Sequence, residues 1–169
     1  MPLTSDFGLS VSGLLTKAAD LSTPSDSLTW TRGVHLDTGT GTGKADLRFT
    51  DTRTLAASAT EDLDLAGVLT DAFGAALTFV RIKGLFISAS AANANNVVVG
   101  AAASNAWATL LNATGTLTLR PGATVGVMSG AADATCMAVT AGTGDLLKVA
   151  NSGAGTGVTY DIVIVGASA

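Results

Sequence analysis

His35 and Asp37 are the residues of this chain best placed to move a proton, two positions apart with Thr38-Gly39 behind them. His35 is the single histidine, so a Ser-His-Asp triad would have to use it. The G-x-S-x-G elbow that presents a nucleophilic serine is absent from the sequence. One histidine beside one cysteine cannot assemble a typical zinc site. The ordinary reading of His35 is a side chain on a solvated strand face. The Gly-rich run Thr38 to Gly43 before Lys44 suggests a phosphate loop, but that loop has the pattern G-x-x-x-x-G-K-[ST]. Thr38 stands at its first Gly, Ala45 replaces the residue that would hold magnesium, and a strand pattern follows where a helix is needed. A plain connecting loop is expected.

The remaining candidates have similar ordinary readings. Glu61, Asp62 and Asp64 could contribute to a calcium site, but without EF-hand spacing they read as a solvated acidic strand. Arg81 and Lys83 could meet an acidic partner, or guard a sheet edge. Cys136 lies in Ala134 to Val139, which reads as a strand, and is expected to be a small core residue. Trp30, Trp107 and Tyr160 are scattered, so core packing is favoured over a stacking platform for bases or sugars. No catalytic, cofactor-binding or metal-ligating residue is assigned, and the chain is expected not to be an enzyme.

The elements that carry these residues alternate with period two. Leu28, Trp30, Val34 and Leu36 share one face, with Arg32 as the exception; Thr29, Thr31, His35 and Asp37 share the other. Such alternation predicts a half-buried strand. Lys44 to Thr50 alternates again, and the two are expected to pair as a hairpin. Leu77 to Ser88 is the strongest interior strand, with Val80, Ile82 and Phe86 on one face, Arg81 and Lys83 on the other, and a bulge at Gly84. Val97 to Gly100, Ala106 to Leu111, Gly115 to Arg120, Val125 to Met128, Cys136 to Val139, Leu146 to Val149 and Val158 to Val165 follow. Strands at intervals of roughly 8–12 residues indicate an all-β, two-sheet antiparallel sandwich, jelly-roll-like in strand number. Residues 1–27 read as an N-terminal arm or peripheral element, and residues 28–169 as the sandwich domain. Leu9, Val11, Leu14, Leu15, Ala18 and Leu21 give the arm a weak apolar pattern, broken at Thr23-Pro24.

Composition narrows the partners. The chain has 169 residues, a net charge of −4 and only 13% charged residues against 47% apolar ones. An acidic chain lacks the footprint for nucleic acid or anionic membrane. The most apolar run, Val97 to Leu111, is interrupted by Ser104 and Asn105 and is shorter than the ~20 residues of a membrane helix. No basic, apolar leader pattern opens the sequence, and a soluble protein is expected. So little charge leaves much weakly polar surface, either for partner subunits to cover or as neutral Thr-rich faces that water solvates.

Two resemblances follow from the residues. Gly115 to Ser129, where a strand closes on Arg120-Pro121-Gly122, resembles small virion proteins of tailed bacteriophages. So do the strand near Met137, Leu146 to Gly153, the Arg81 to Ile87 strand with its Asn-rich turn, and the final Tyr160 to Val165 strand. The likeness spans roughly residues 44–169 and brings no defined functional residue. It implies a jelly-roll capsid decoration or cement protein, often trimeric, docked on a major capsid protein and found in the virion after assembly in the host cytoplasm. A tail component or receptor- or glycan-binding module is the neighbouring implication, with Trp107 or Tyr160 in a concave patch. Separately, Val34 to Gly39 with Ile164-Val165-Gly166 resembles the active-site elements of retroviral-type aspartic proteases, although His35 stands where that family has an apolar residue. That resemblance implies a dimer in which two Asp37 carboxyls share a proton. The alternative for Asp37 is an ordinary turn residue.

Overall fold

The computed structural model describes residues 2–169. Twelve strands follow one another: β1 (Ser5–Thr16), β2 (Ser25–Thr38), β3 (Lys44–Ala45), β4 (Leu47–Leu55), β5 (Thr60–Asp64) and β6 (Arg81–Ala89), then β7 (Val97–Gly100), β8 (Thr116–Leu119), β9 (Thr124–Met128), β10 (Met137–Ala138), β11 (Leu146–Asn151) and β12 (Val158–Ala167). No helix occurs among the described residues.

Two antiparallel sheets make the body. One runs β10-β6-β12-β4, with β9 also on β6; the other runs β5-β11-β7-β8. Alternation sends Phe49, Leu85, Ile87, Ile162 and Ile164 from the first sheet and Leu63, Val97, Val99, Leu147 and Val149 from the second into one shared core. Each is 5% exposed or less. Burial on that scale, at roughly 1.5–3 kcal/mol per large side chain, is what holds the sheets face to face. The all-β sandwich expected from the alternation is the observed architecture.

β1 and β2 leave this body. They pair antiparallel over their whole length, from Ser5 opposite Leu36 to Thr16 opposite Ser25. Their base is seated: Phe7, Leu36, Ala45 and Val165 form a second apolar cluster on the outer face of the first sheet. The Phe7 ring lies 5.3 Å from that of Phe86. Gly84 makes room for it, since a Cβ there would stand 2.7 Å from Phe7 Cζ. Beyond the base, every residue from Gly8 to Gly33 is exposed. The outer part of the hairpin, nine residues long on β1 from Gly8 to Thr16, extends about 30 Å at the usual rise per residue.

Several expectations change. The arm is not bounded at residue 27, because β2 runs through that position as the second half of the hairpin. β2 does not form a hairpin with Lys44 to Thr50: β4 is taken by β12 from Leu47 to Leu55, a nine-pair register that turns Phe49 and Leu55 into the core. β2 instead meets β3 in parallel, Asp37 beside Lys44. Ala106 to Leu111 is not a strand: Ala106 makes only an isolated bridge to Leu146, Trp107 N–H donates to the Leu146 carbonyl, and the ring plugs the core from irregular chain. The strand near Cys136 is reduced to Met137–Ala138.

Candidate functional site

The sequence-selected residues are not brought into one reactive group. His35 Nδ1 lies 2.7 Å from Asp6 Oδ1 across the hairpin, and Nε2 lies 3.4 Å from Asp37 Oδ1. The Asp6 hydrogen bond and charge, aided by Asp37, raise the His35 pKa above its ordinary value. All three side chains are more than half exposed, so this is a solvated hydrogen-bonded cluster at the hairpin base, an ion pair when His35 is protonated. Asp37 lies on an extended strand rather than at the start of a turn.

Glu61, Asp62 and Asp64 diverge. Glu61 points between the sheets, where it accepts from Arg53 Nε at 2.7 Å and from the Tyr160 hydroxyl at 2.7 Å. Asp62 faces outward opposite Lys148, and Asp64 caps the Ala66 N–H. The Arg53 guanidinium also reaches Asp51 at 2.8 Å. These contacts make a clasp across the open edge of the sandwich, from β4 to β5, with β12 contributing the phenol. Among the described residues no group of three His, Cys, Asp or Glu is placed to hold a metal.

Lys83 is not an exposed charge. The β6–β12 register shifts between Gly84 opposite Val165 and Ile82 opposite Gly166, so Lys83 is the bulged residue. The bulge turns its side chain under the Gly-rich loop, where it is 2% exposed and Nζ donates to the Gly41 carbonyl at 2.6 Å. Arg81 caps the Ala134 carbonyl. Cys136 is not a core strand residue: it sits half-buried at φ 50°, its N–H bonded to Asp133 Oδ1. Those backbone donors and Thr135 hold the Asp133 carboxyl below its ordinary pKa.

The aromatics divide. Trp107 and Tyr160 are core residues, with the Trp107 indole N–H donating to the Ala138 carbonyl at 2.8 Å. Neither offers a face to a sugar. Trp30 is 40% exposed on the hairpin, with the Arg32 guanidinium 5.0 Å from its ring centre.

The hairpin is the candidate site. Opposed residues in an antiparallel pair share a face, so the register sorts the arm into two. Leu9 with Arg32, Val11 with Trp30, Gly13 with Leu28 and Leu15 with Asp26 form one face. Ser10 with Thr31, Ser12 with Thr29 and Leu14 with Ser27 form the other. The first face continues outward from the buried Phe7 and Leu36, so it is an apolar stripe that starts in the core and ends in solvent. Leu28 is 55% exposed and Leu15 72%. A signal for this was present, since period-two apolar residues flank the Ser22-Thr23-Pro24 turn on both sides.

Beside the arm base, a shallow groove of about 370 Å³ runs along Phe7, Phe86 and Val163. A recess of about 440 Å³ lies between Pro2 to Thr4, Asp46 to Arg48 and Asp71 to Phe73. Its acids are already bonded, Asp46 to Ser168 and Asp71 to the N–H groups of Phe73 and Ala75. The chain matches no family model, no curated protein and no solved structure.

Proposed function

We propose that this chain is a non-enzymatic structural subunit of a tailed-phage virion, a decoration or cement protein that reinforces the head through symmetric subunit contacts. The observation that carries the reading is the nested strand pairing. β4 pairs with β12, β5 with β11, β6 with β9 and β7 with β8. Outermost strand pairs with outermost and innermost with innermost, as when one long hairpin is rolled on itself; this nesting supports a jelly-roll reading, an architecture recurrent in viral capsid and lectin domains.

The side chains support an assembly role over a reactive one. Glu61, Arg53, Tyr160 and Lys83 are occupied in holding sheets and loops together. The outer face of the first sheet is largely polar, with Thr50, Thr52 and Thr54 in a row on β4 beside Arg48, and Asp161 of β12 accepting from Thr52. In this reading the arm or that face docks on the capsid lattice, and subunits associate as the trimers the resemblance implies. The lectin reading finds less support, because Trp107 and Tyr160 are buried. The protease reading needs Asp37 in a shared cleft, and its side chain is solvated at the base of a projecting arm.

Quantitative mass spectrometry of purified particles, with heads and tails separated, tests the proposal. A fixed ratio to the major capsid protein in heads is expected. Recovery with tails would replace the head assignment by the tail one. Absence from both would overturn the proposal.

A further inference from the structure

We infer that the β1–β2 arm is a self-recognition element: its apolar face packs, antiparallel and across a two-fold axis, on the same face of the arm of a second copy of this chain. The contact is separate from any body-mediated trimer and does not depend on a virion.

The arm asks to be covered. A two-stranded ribbon is marginal on its own in water, yet this one stands clear of the body with Leu9, Val11, Leu15, Leu28 and Trp30 on a single face. Their exposure corresponds to roughly 500 Å² of surface per arm, so two arms would remove about 1,000 Å², the lower bound of a specific interface.

The pattern along the stripe is self-complementary. When one arm is turned over about an axis between the Val11–Trp30 and Gly13–Leu28 rows, Val11 meets Gly13 of the second copy. Trp30 meets Leu28, Leu9 meets Leu15, and Arg32 meets Asp26. Each apolar side chain finds an apolar side chain or a glycine, and the one cation on this face finds its one anion. Gly13 has open space where a side chain would be, leaving room for the bulk of Val11 and Trp30 of the second copy. Such i-with-j, j-with-i matching is what an isologous contact requires. Arms packed parallel, in a pair or around a three-fold, would bring like charges together at both ends, Arg32 near Arg32 and Asp26 near Asp26.

Charge reversal tests this on the whole chain. Arg32→Asp and Asp26→Arg are both on the exposed arm, and circular dichroism checks that the body is unchanged. Sedimentation over a concentration series should show the wild type associating and each variant alone associating at least tenfold more weakly. An equimolar mixture should associate again, because both Arg–Asp pairs re-form in the mixed species. A wild type that stays monomeric, single variants that associate like the wild type, or a mixture that stays apart would each overturn the inference. Presence in or absence from virions is read separately and does not bear on it.

Discussion

Tyr160 is the only tyrosine in the chain, which makes the inter-sheet clasp directly testable by alkaline titration. The residue is fully buried, and its hydroxyl donates to Glu61 Oε1 at 2.7 Å. Burial first, then the Glu61 hydrogen bond and charge, push the phenol far above its ordinary pKa. In the unfolded chain it ionises near pH 10. A proton is therefore held more tightly in the folded state. The stabilisation is fully present below about pH 10 and declines as pH rises beyond it, by about 1.4 kcal/mol per pH unit for this one group. Tyr160→Phe keeps the ring packing and leaves Glu61 paired with Arg53, so it removes one charge-assisted hydrogen bond, worth about 1.5–3 kcal/mol. Urea unfolding, followed by the buried Trp107, should show that loss at neutral pH with an unchanged slope. Above about pH 10 the wild-type and variant stabilities should converge, because only the wild type has the phenol to titrate. Ultraviolet difference absorbance should show no tyrosinate until the protein unfolds. A phenol titrating near pH 10 in protein that keeps its native Trp107 signal, or a variant within about 0.5 kcal/mol of wild type at neutral pH, would refute this account.

Three further outcomes are expected. Lys83→Met keeps the buried stem but strips the Gly41 carbonyl of its donor; a loss of about 1–2 kcal/mol, with faster amide exchange at residues 39–44, should follow. Gly166→Ala places a Cβ against the Arg81 carbonyl, where the backbone itself must move, and should cost about 1–3 kcal/mol in urea unfolding and weaken the β6–β12 ladder at the bulge. The raised His35 pKa means that its link to Asp6 is present in full below the unfolded value, near 6.5, and is lost as pH rises through the folded one. An NMR titration of the single histidine should accordingly show the pKa falling toward 6.5 in Asp6→Asn, with the amides of the hairpin base, not those of the sandwich, following the titration.

The sandwich was legible because its strands are half-buried. Thr116–Leu119, Leu146–Asn151 and the stretch from Val158 to Ile164 alternate, since one face of each meets the core and the other stays at least partly exposed. Where alternation is interrupted, the sequence misleads. From parity alone Lys83 belongs with Arg81 on an outer face; the bulge inserts one residue, and Ile82, Lys83, Gly84 and Leu85 are all buried in succession. Trp107 gave no strand because it fills the core from irregular chain beside a single bridge, and Cys136 was misplaced because a run of small residues does not reveal a positive φ. Glu61 looked like one of three surface acids. Parity already sets Glu61 on the face of Leu63; what it does not show is that Arg53 and Tyr160 wait there to hold the carboxylate.

The arm exposes a more general gap between pattern and structure. Alternation in Leu28, Trp30 and Leu36 says that one face of a strand will be apolar; it does not say what will cover that face. The natural assumption is the chain's own second sheet, and for Leu36 the cover is indeed internal, with 1% exposure. Four repeats of the pleat further out, Leu28 belongs to the same face and has no cover within the chain. The stripe is continuous while the body beneath it stops, so the apolar pattern outruns the core that would explain it. A sequence does not retain such a face in water for the stability of one subunit, because a lone ribbon gains little from it. The excess pattern is therefore read most economically as the imprint of a second surface. The pairing of Arg32 with Asp26 and of Trp30 with Leu28 identifies that surface as the arm of another copy.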